Sequence, residues 1–144
     1  MSIAAIKPHE SAGRIGLGMT RSEVCALFDQ PPSSYLKTPE SKSKTFAFGD
    51  GAISVYFSAD DDTVEFIELA SSGHGGFSID GMDVFVTSAD VLIEKLGETY
   101  DLRVEEGGCS VILAGQDVSF WRSDAESPYF DAIGIGVPNY FATP

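Results

Sequence analysis

Runs in which apolar and polar residues alternate make up most of the chain, and their spacing predicts a β-rich fold carrying two helices. The first helix opens at Thr20, with Glu23 three residues on, a capping-box pair in which each side chain serves an otherwise orphaned backbone N–H. Val24, Leu27 and Phe28 then fall on one helical face, and Gln30-Pro31-Pro32 closes the segment because proline cannot continue the hydrogen-bond ladder. Period-two alternation predicts strands over 44–48, 52–58 and 63–70, the first two joined through Gly49-Asp50-Gly51. Extended pieces over 77–79 and 82–86 lead to a second helix over 88–96, closed by Gly97. Strands over 100–105, 109–114, 117–123 and 129–137 complete the second half. Residues 1–13 read as a loosely held lead-in, and the polar, basic stretch 33–44 as a loop with a weak edge strand.

The same pattern occurs twice. Residues 46–58 lie over 111–123 at an offset of 65, 64–69 over 130–135 at 66, and Thr20-Arg-Ser-Glu23 over Thr87-Ser-Ala-Asp90 at 67. Self-similarity of this order predicts an α+β fold of two tandem helix-plus-antiparallel-meander repeats in one domain, with a seven- or eight-stranded, mostly antiparallel sheet. The expected division of the single domain 1–144 is repeat one at about 14–70, a glycine-rich seam at 71–76 and repeat two at about 77–141.

Side chains alternate across a strand, so each strand can be sorted into two faces. Ile53, Val55 and Phe57 share one face with Ile67, Leu69, Val118, Phe120, Ile133 and Ile135, and this all-apolar set is the expected core. The other face carries Ser54-Tyr56-Ser58 in one half and Ser119-Trp121-Ser123 in the other, with Phe66, Glu68 and Phe130 beside them. Stiff aromatic rings among small polar neighbours suit a binding surface. The competing reading is that helices cover this face and its rings are ordinary core.

Composition narrows the classes. With 144 residues, 43% of them apolar, the chain can bury a core without disulfides or metals. Cys25 and Cys109 lie in apolar stretches and are expected to be reduced. The opening residues predict no secretory signal, no segment reaches membrane-spanning length, and the cytoplasm is the expected compartment. A formal net charge of −13 disfavours nucleic acid and anionic lipid and favours basic partners. Part of that charge is clustered at Asp60, Asp61 and Asp62, followed by Glu65 and Glu68. His9 and His74, the two histidines, have no sequence neighbours that suggest a relay or metal set, and each is expected to be solvated. Zinc, thiol-redox and nucleophile-elbow motifs are missing, Gly73-His-Gly-Gly76 lacks the lysine of a phosphate loop, and the triple aspartate lacks calcium-loop spacing. No cofactor, metal or catalytic residue is therefore expected.

Two phrases carry a resemblance. Gly18-Met19-Thr20-Arg21 opening a short helix, then Gln30-Pro31-Pro32 and a meander, resembles the repeat unit of the beta-lactamase inhibitor protein and of the small lipoprotein of the outer-membrane barrel-assembly machinery. That resemblance covers residues 14 to about 70 and implies an αβ unit, single or doubled, whose sheet docks other proteins; Phe85-Val-Thr-Ser-Ala-Asp90 in the second half lacks the glycine-methionine pair. Phe130-Asp-Ala-Ile-Gly-Ile-Gly-Val-Pro-Asn-Tyr-Phe141 resembles the last strand and Gly-x-x-x-Tyr ending of bacterial immunity proteins, which neutralise toxins of contact-dependent inhibition and related systems.

The expectation is thus a cytosolic protein-binding inhibitor, an immunity protein blocking a basic toxin domain. Tyr56, Trp121, Phe66 and Phe130 would form the apolar centre of the contact, with Asp60, Asp61, Asp62 and Glu68 as its acidic rim. Two alternatives stay open: a small-ligand or enzymatic αβ domain, and a structural protein whose sheet pairs with itself.

Overall fold

A computed structural model describes residues 4–36, 38–40, 44–48, 52–71 and 76–141; the predicted Gly49-Asp50-Gly51 turn, His74 and most of the predicted seam lie outside them. In chain order the elements are β1 (Ala4–Lys7), β2 (Ser11–Ala12), β3 (Ile15–Gly16), α1 (Arg21–Cys25), β4 (Ser33–Leu36), β5 (Lys44–Phe48), β6 (Ile53–Phe57) and β7 (Val64–Ala70). There follow β8 (Phe77–Ile79), β9 (Met82–Asp83), α2 (Ala89–Gly97), β10 (Leu102–Glu105), β11 (Ser110–Leu113), β12 (Val118–Trp121) and β13 (Ala132–Gly136). The chain is α+β, with an eight-stranded sheet ordered β10-β11-β12-β13-β7-β6-β5-β4 and a five-stranded sheet ordered β3-β2-β1-β8-β9. The large sheet is antiparallel throughout, two four-stranded meanders joined through their last strands by the pairing of β13 with β7. In the first meander Phe46 lies opposite Val55 and Ile53 opposite Leu69; in the second Val111 lies opposite Phe120 and Val118 opposite Ile135.

Both helices are capped from their own sequence. Thr20 Oγ1 accepts the Glu23 N–H while Glu23 Oε1 accepts the Thr20 N–H, so the predicted capping box is formed. The second cap is Ser88, whose Oγ accepts the Val91 N–H, whereas Thr87 only donates its N–H to the Asp83 carbonyl. The Thr20–Thr87 equivalence is therefore out by one residue, and α2 closes at Glu98, with Gly97 still helical. Helix α1 is also shorter than its apolar stripe, because Leu27 and Phe28 already bond three residues back, to Val24 and Cys25, and the turn tightens beyond Cys25.

Predicted inward faces are inward. Val55, Phe57, Ile67, Leu69, Val118, Phe120, Ile133 and Ile135 are buried in one cluster with Val24 of α1 and Ala89, Leu92 and Leu96 of α2, so the helices pack against this face of the large sheet. The expected lead-in instead contains β1, which runs parallel to β8, and β2; Ile6 and Ala12 of these strands join the same cluster, with Ile15 of β3. Cys25 and Cys109 are free and half-buried.

Candidate protein-binding face

Opposite the helices, the eight-stranded sheet presents three rows of side chains. The first runs from Ser110 through Trp121 and Ala132 to Ala70. Glu105, facing Ser110 across the β10–β11 pair, extends it to the sheet edge. The middle row runs Arg103, Ile112, Ser119, Gly134, Glu68, Ser54 and Ala47. The third holds Gly136, Phe66 and Tyr56, with Tyr35 facing Thr45 on the β4 edge.

Trp121 is 44% exposed. Its row neighbours are serine and alanine, so nothing in the row rises high enough to cover the indole. Tyr56 shares the face but stands three strands and two rows away, about 20 Å at standard strand spacing and rise. The two aromatics are opposite corners of one surface. A standard interface of about 800 Å² per partner is about 30 Å across and spans both.

Around Tyr56 the rings are layered. Phe66, expected as an open aromatic, is only 7% exposed because the chain end folds over it: the Tyr140 ring stacks on Phe66 at 4.5 Å with an 11° tilt, and Phe141 meets it edge-on at 5.6 Å. Tyr56 flanks the same ring at 5.7 Å, and its hydroxyl is hydrogen-bonded with that of Tyr35. Burial, the Tyr35 hydroxyl and the charge of Glu68 all push the Tyr56 hydroxyl up from its ordinary value. Tyr140 is pushed up to about 12, first by burial and then by the carboxylates of Glu65 and Glu68. Both phenols are therefore neutral hydrogen-bonding groups at neutral pH. Glu65 reaches this side because it is the extra residue of a bulge, Tyr56 pairing with Phe66 but Phe57 with Val64.

The strap formed by residues 137–141 is held by Asp117. Its carboxylate, on a buried residue in the left-handed region (φ 55°), accepts the N–H groups of Asn139 and Phe141, each at 2.9 Å, and stands 2.8 Å from Nε2 of His9. Arg103 donates to the Phe141 carbonyl at 3.0 Å, and the Val137 N–H bonds the Glu65 carbonyl. Burial raises the Asp117 carboxyl, but the bonds from Phe141, His9 and Asn139 outweigh it and hold it below the usual range. His9 is thus no solvated bystander. It borders a cleft of about 330 Å³ together with Arg103, Asp117 and Asn139, in which both carboxylate oxygens are engaged by the strap and the imidazole.

The other predicted contact residues separate. Phe130 is 2% exposed and packs on Phe120 of the core at 5.2 Å, with the Arg122 guanidinium 5.4 Å from its ring centre. Alternation fails there because β13 begins only at Ala132: Asp131 donates its N–H to the Trp121 carbonyl and accepts that of Ser71, a bend that sends Phe130 to the helix side. Asp60, Asp61 and Asp62 are exposed at the tip between β6 and β7, where they serve the turn. Asp61 accepts from the Thr63 N–H and hydroxyl, which lower its carboxyl, and Asp62 pairs at 2.8 Å with Arg21, whose guanidinium lies over Phe46 and Phe57 on the helix side. Glu68 is exposed in the middle row, as expected. Tyr35, Tyr140, Phe141 and Asp117 are the members that alternation alone missed. Glycines at alternate positions 134 and 136 were the available signal, since glycine inside a strand marks a close approach by something else.

No protein-family model matches the chain, and no curated protein sequence matches it. Among solved structures it is similar to the uncharacterized protein yfeY from Escherichia coli, with a TM-score of 0.53 and 14% identity over 94% of this chain and 99% of that one. At that identity the likeness concerns the fold alone. Among the described residues no helix is long and apolar enough to cross a membrane, and no cluster of ligating side chains suited to a metal occurs.

Proposed function

We propose that this chain is a protein-binding inhibitor, an immunity protein that blocks a basic toxin domain with the outer face of its large sheet. The observation that carries the reading is Trp121, exposed on a row of serines and alanines on the side of the sheet that the helices leave open. A tryptophan so placed offers large, stiff contact area above small row neighbours. The net charge of −13 favours encounter with a cationic partner, and Glu68, Glu105 and Asp131 supply acid on or beside the face. Tyr56 and Glu68 belong to the contact; Phe66 supports it from beneath, while Phe130 and Asp62 act in the fold.

The chain is also read as a tandem duplication in a single domain. In support, the cross-strand pairs Phe46–Val55 and Ile53–Leu69 recur as Val111–Phe120 and Val118–Ile135, at the offsets of 65 and 66 given by the sequence. Under that equivalence Tyr56 and Trp121 are the same position in two copies, and the cytoplasm is the compartment in which such an inhibitor meets its toxin.

The reading is tested by cloning the neighbouring gene, expected to encode a basic toxin domain, and co-expressing it with this chain, scored by survival and by calorimetry of the purified pair. Trp121→Ala is expected to weaken the complex by about 2 kcal/mol, roughly thirtyfold, with an unchanged circular dichroism spectrum. Absence of protection overturns immunity; protection with undiminished affinity in the variant overturns the face.

A further inference from the structure

We propose that Glu68, walled by the rings of Tyr56, Phe66 and Tyr140, is a receptor for a guanidinium group presented by an arginine of the partner. The inference rests on the outer-face reading and gives one corner of that face a specific ligand chemistry. Four observations support it. Glu68 is exposed in the middle row of the face, next to the Tyr56–Phe66 corner, and among the described residues it has no ion pair, so its carboxylate is available. Its cross-strand neighbours are Ser54 and Gly134, and the Phe66 ring lies over Gly134 in the place of a side chain, so an aromatic ring borders Glu68 on that side. The rings that border it are already packed against one another, with centroids 5.7 Å apart for Tyr56 and Phe66 and 4.5 Å for Phe66 and Tyr140. Glu68 shares its face of β7 with Phe66 two residues before it and lies diagonal to Tyr56 across the β6–β7 pair; its charge raises the hydroxyls of both Tyr56 and Tyr140, and Glu65 adds a second carboxylate acting on Tyr140.

Each component suits a cation. Ring faces attract positive charge, and two carboxylates close to such faces strengthen that attraction where water is partly excluded. The shape favours arginine over lysine, because a planar guanidinium stacks on an aromatic ring while its fork of N–H groups meets a carboxylate with two parallel bonds. An ammonium group offers neither stacking nor a fork. Since the rings are held by one another and by the strap, little side-chain freedom is lost when the cation enters.

The isolated chain suffices for the test, with a capped hexa-arginine peptide and a capped hexa-lysine peptide as probes, binding being followed by calorimetry and by backbone amide shifts. The arginine peptide is expected to bind more tightly than the lysine peptide and to move the amides of Tyr56, Phe66, Glu68 and Tyr140. Glu68→Gln should weaken arginine-peptide binding about fivefold, the upper range for an exposed ion pair, whereas Glu94→Gln on the exposed side of α2 should leave it nearly unchanged. Equal losses in the two variants would reduce the effect to overall charge and overturn the receptor, as would shifts centred elsewhere. Equal affinity for the two peptides would overturn the choice of guanidinium. Any of these negative results leaves the Trp121 test untouched, because that test uses the other corner and the toxin itself.

Discussion

Replacing Asp117 with alanine is expected to lower the stability of the fold by about 3–5 kcal/mol and to release the strap from the outer face. Two backbone N–H groups, those of Asn139 and Phe141, would lose a charged acceptor, and His9 would lose its partner. Hydrogen bonds to a charged group contribute about 1.5–3 kcal/mol each, against a total stability of about 5–15 kcal/mol for a domain of this size. Urea denaturation gives the free energy, and hydrogen exchange at Asn139 and Phe141 reports the strap; a loss below about 1 kcal/mol would show that Asp117 does not hold it. Part of the alanine effect is local, because position 117 has φ 55°, where a side chain that cannot bond its own backbone is strained. Asp117→Asn separates the two contributions, since asparagine tolerates that conformation but has one acceptor oxygen and no charge. The pH dependence follows in sign from the lowered carboxyl. Its stabilisation is complete above the unfolded value of about 3.9 and is lost as pH falls from there through the folded value, so the asparagine variant should show a shallower acid limb.

Much of the central architecture is legible because it is periodic. Ile53, Val55 and Phe57 announce a buried face by alternation alone, and the registers of β6 with β7 and of β12 with β13 follow once those faces must coincide. What escapes is where period and backbone part company. Strands of two residues, such as β2 and β3, carry no period, so their sheet with β1 escaped, although its β8 and β9 fall on the extended pieces expected over 77–79 and 82–86. The stripe Val24, Leu27, Phe28 continues past the end of α1 because a tightened turn keeps those side chains on nearly the same side. Phe130 fails for the opposite reason: one bend at Asp131 inverts the parity on which its assignment rested. His9 and Asp117 are 108 positions apart, and their meeting depends on how the five-stranded sheet sits beside the end of β12, which no local pattern encodes. The candidate face is legible to a similar extent. Trp121 and Glu68 stand where alternation put them, whereas Tyr140 enters from a strap that the sequence presents only as the tail of a strand.

The strongest energetic coupling on the face is expected between Phe66 and Gly134. A Cβ built on Gly134 would stand 2.2 Å from Cζ of Phe66, so the ring occupies the place where a side chain would be. The ring cannot swing aside cheaply, with Tyr140 stacked on it, Phe141 at its edge and Tyr56 beside it. Gly134→Val should therefore cost about 2–3 kcal/mol as overpacking, despite the better strand propensity of valine. Phe66→Ala removes a buried ring and should cost about 3–4 kcal/mol. With the ring gone, valine at 134 fills the vacated space, and the double variant is expected to be about 2 kcal/mol or more stable than the sum of the single losses predicts. Denaturant melts of the four proteins measure that coupling, and additivity within about 0.5 kcal/mol would mean that the ring does not lie over the glycine. The double variant also separates scaffold from contact. It keeps Trp121 and its row but removes the floor beneath Tyr56 and Tyr140, so arginine-peptide binding at Glu68 should fall while the Trp121 corner still engages the toxin.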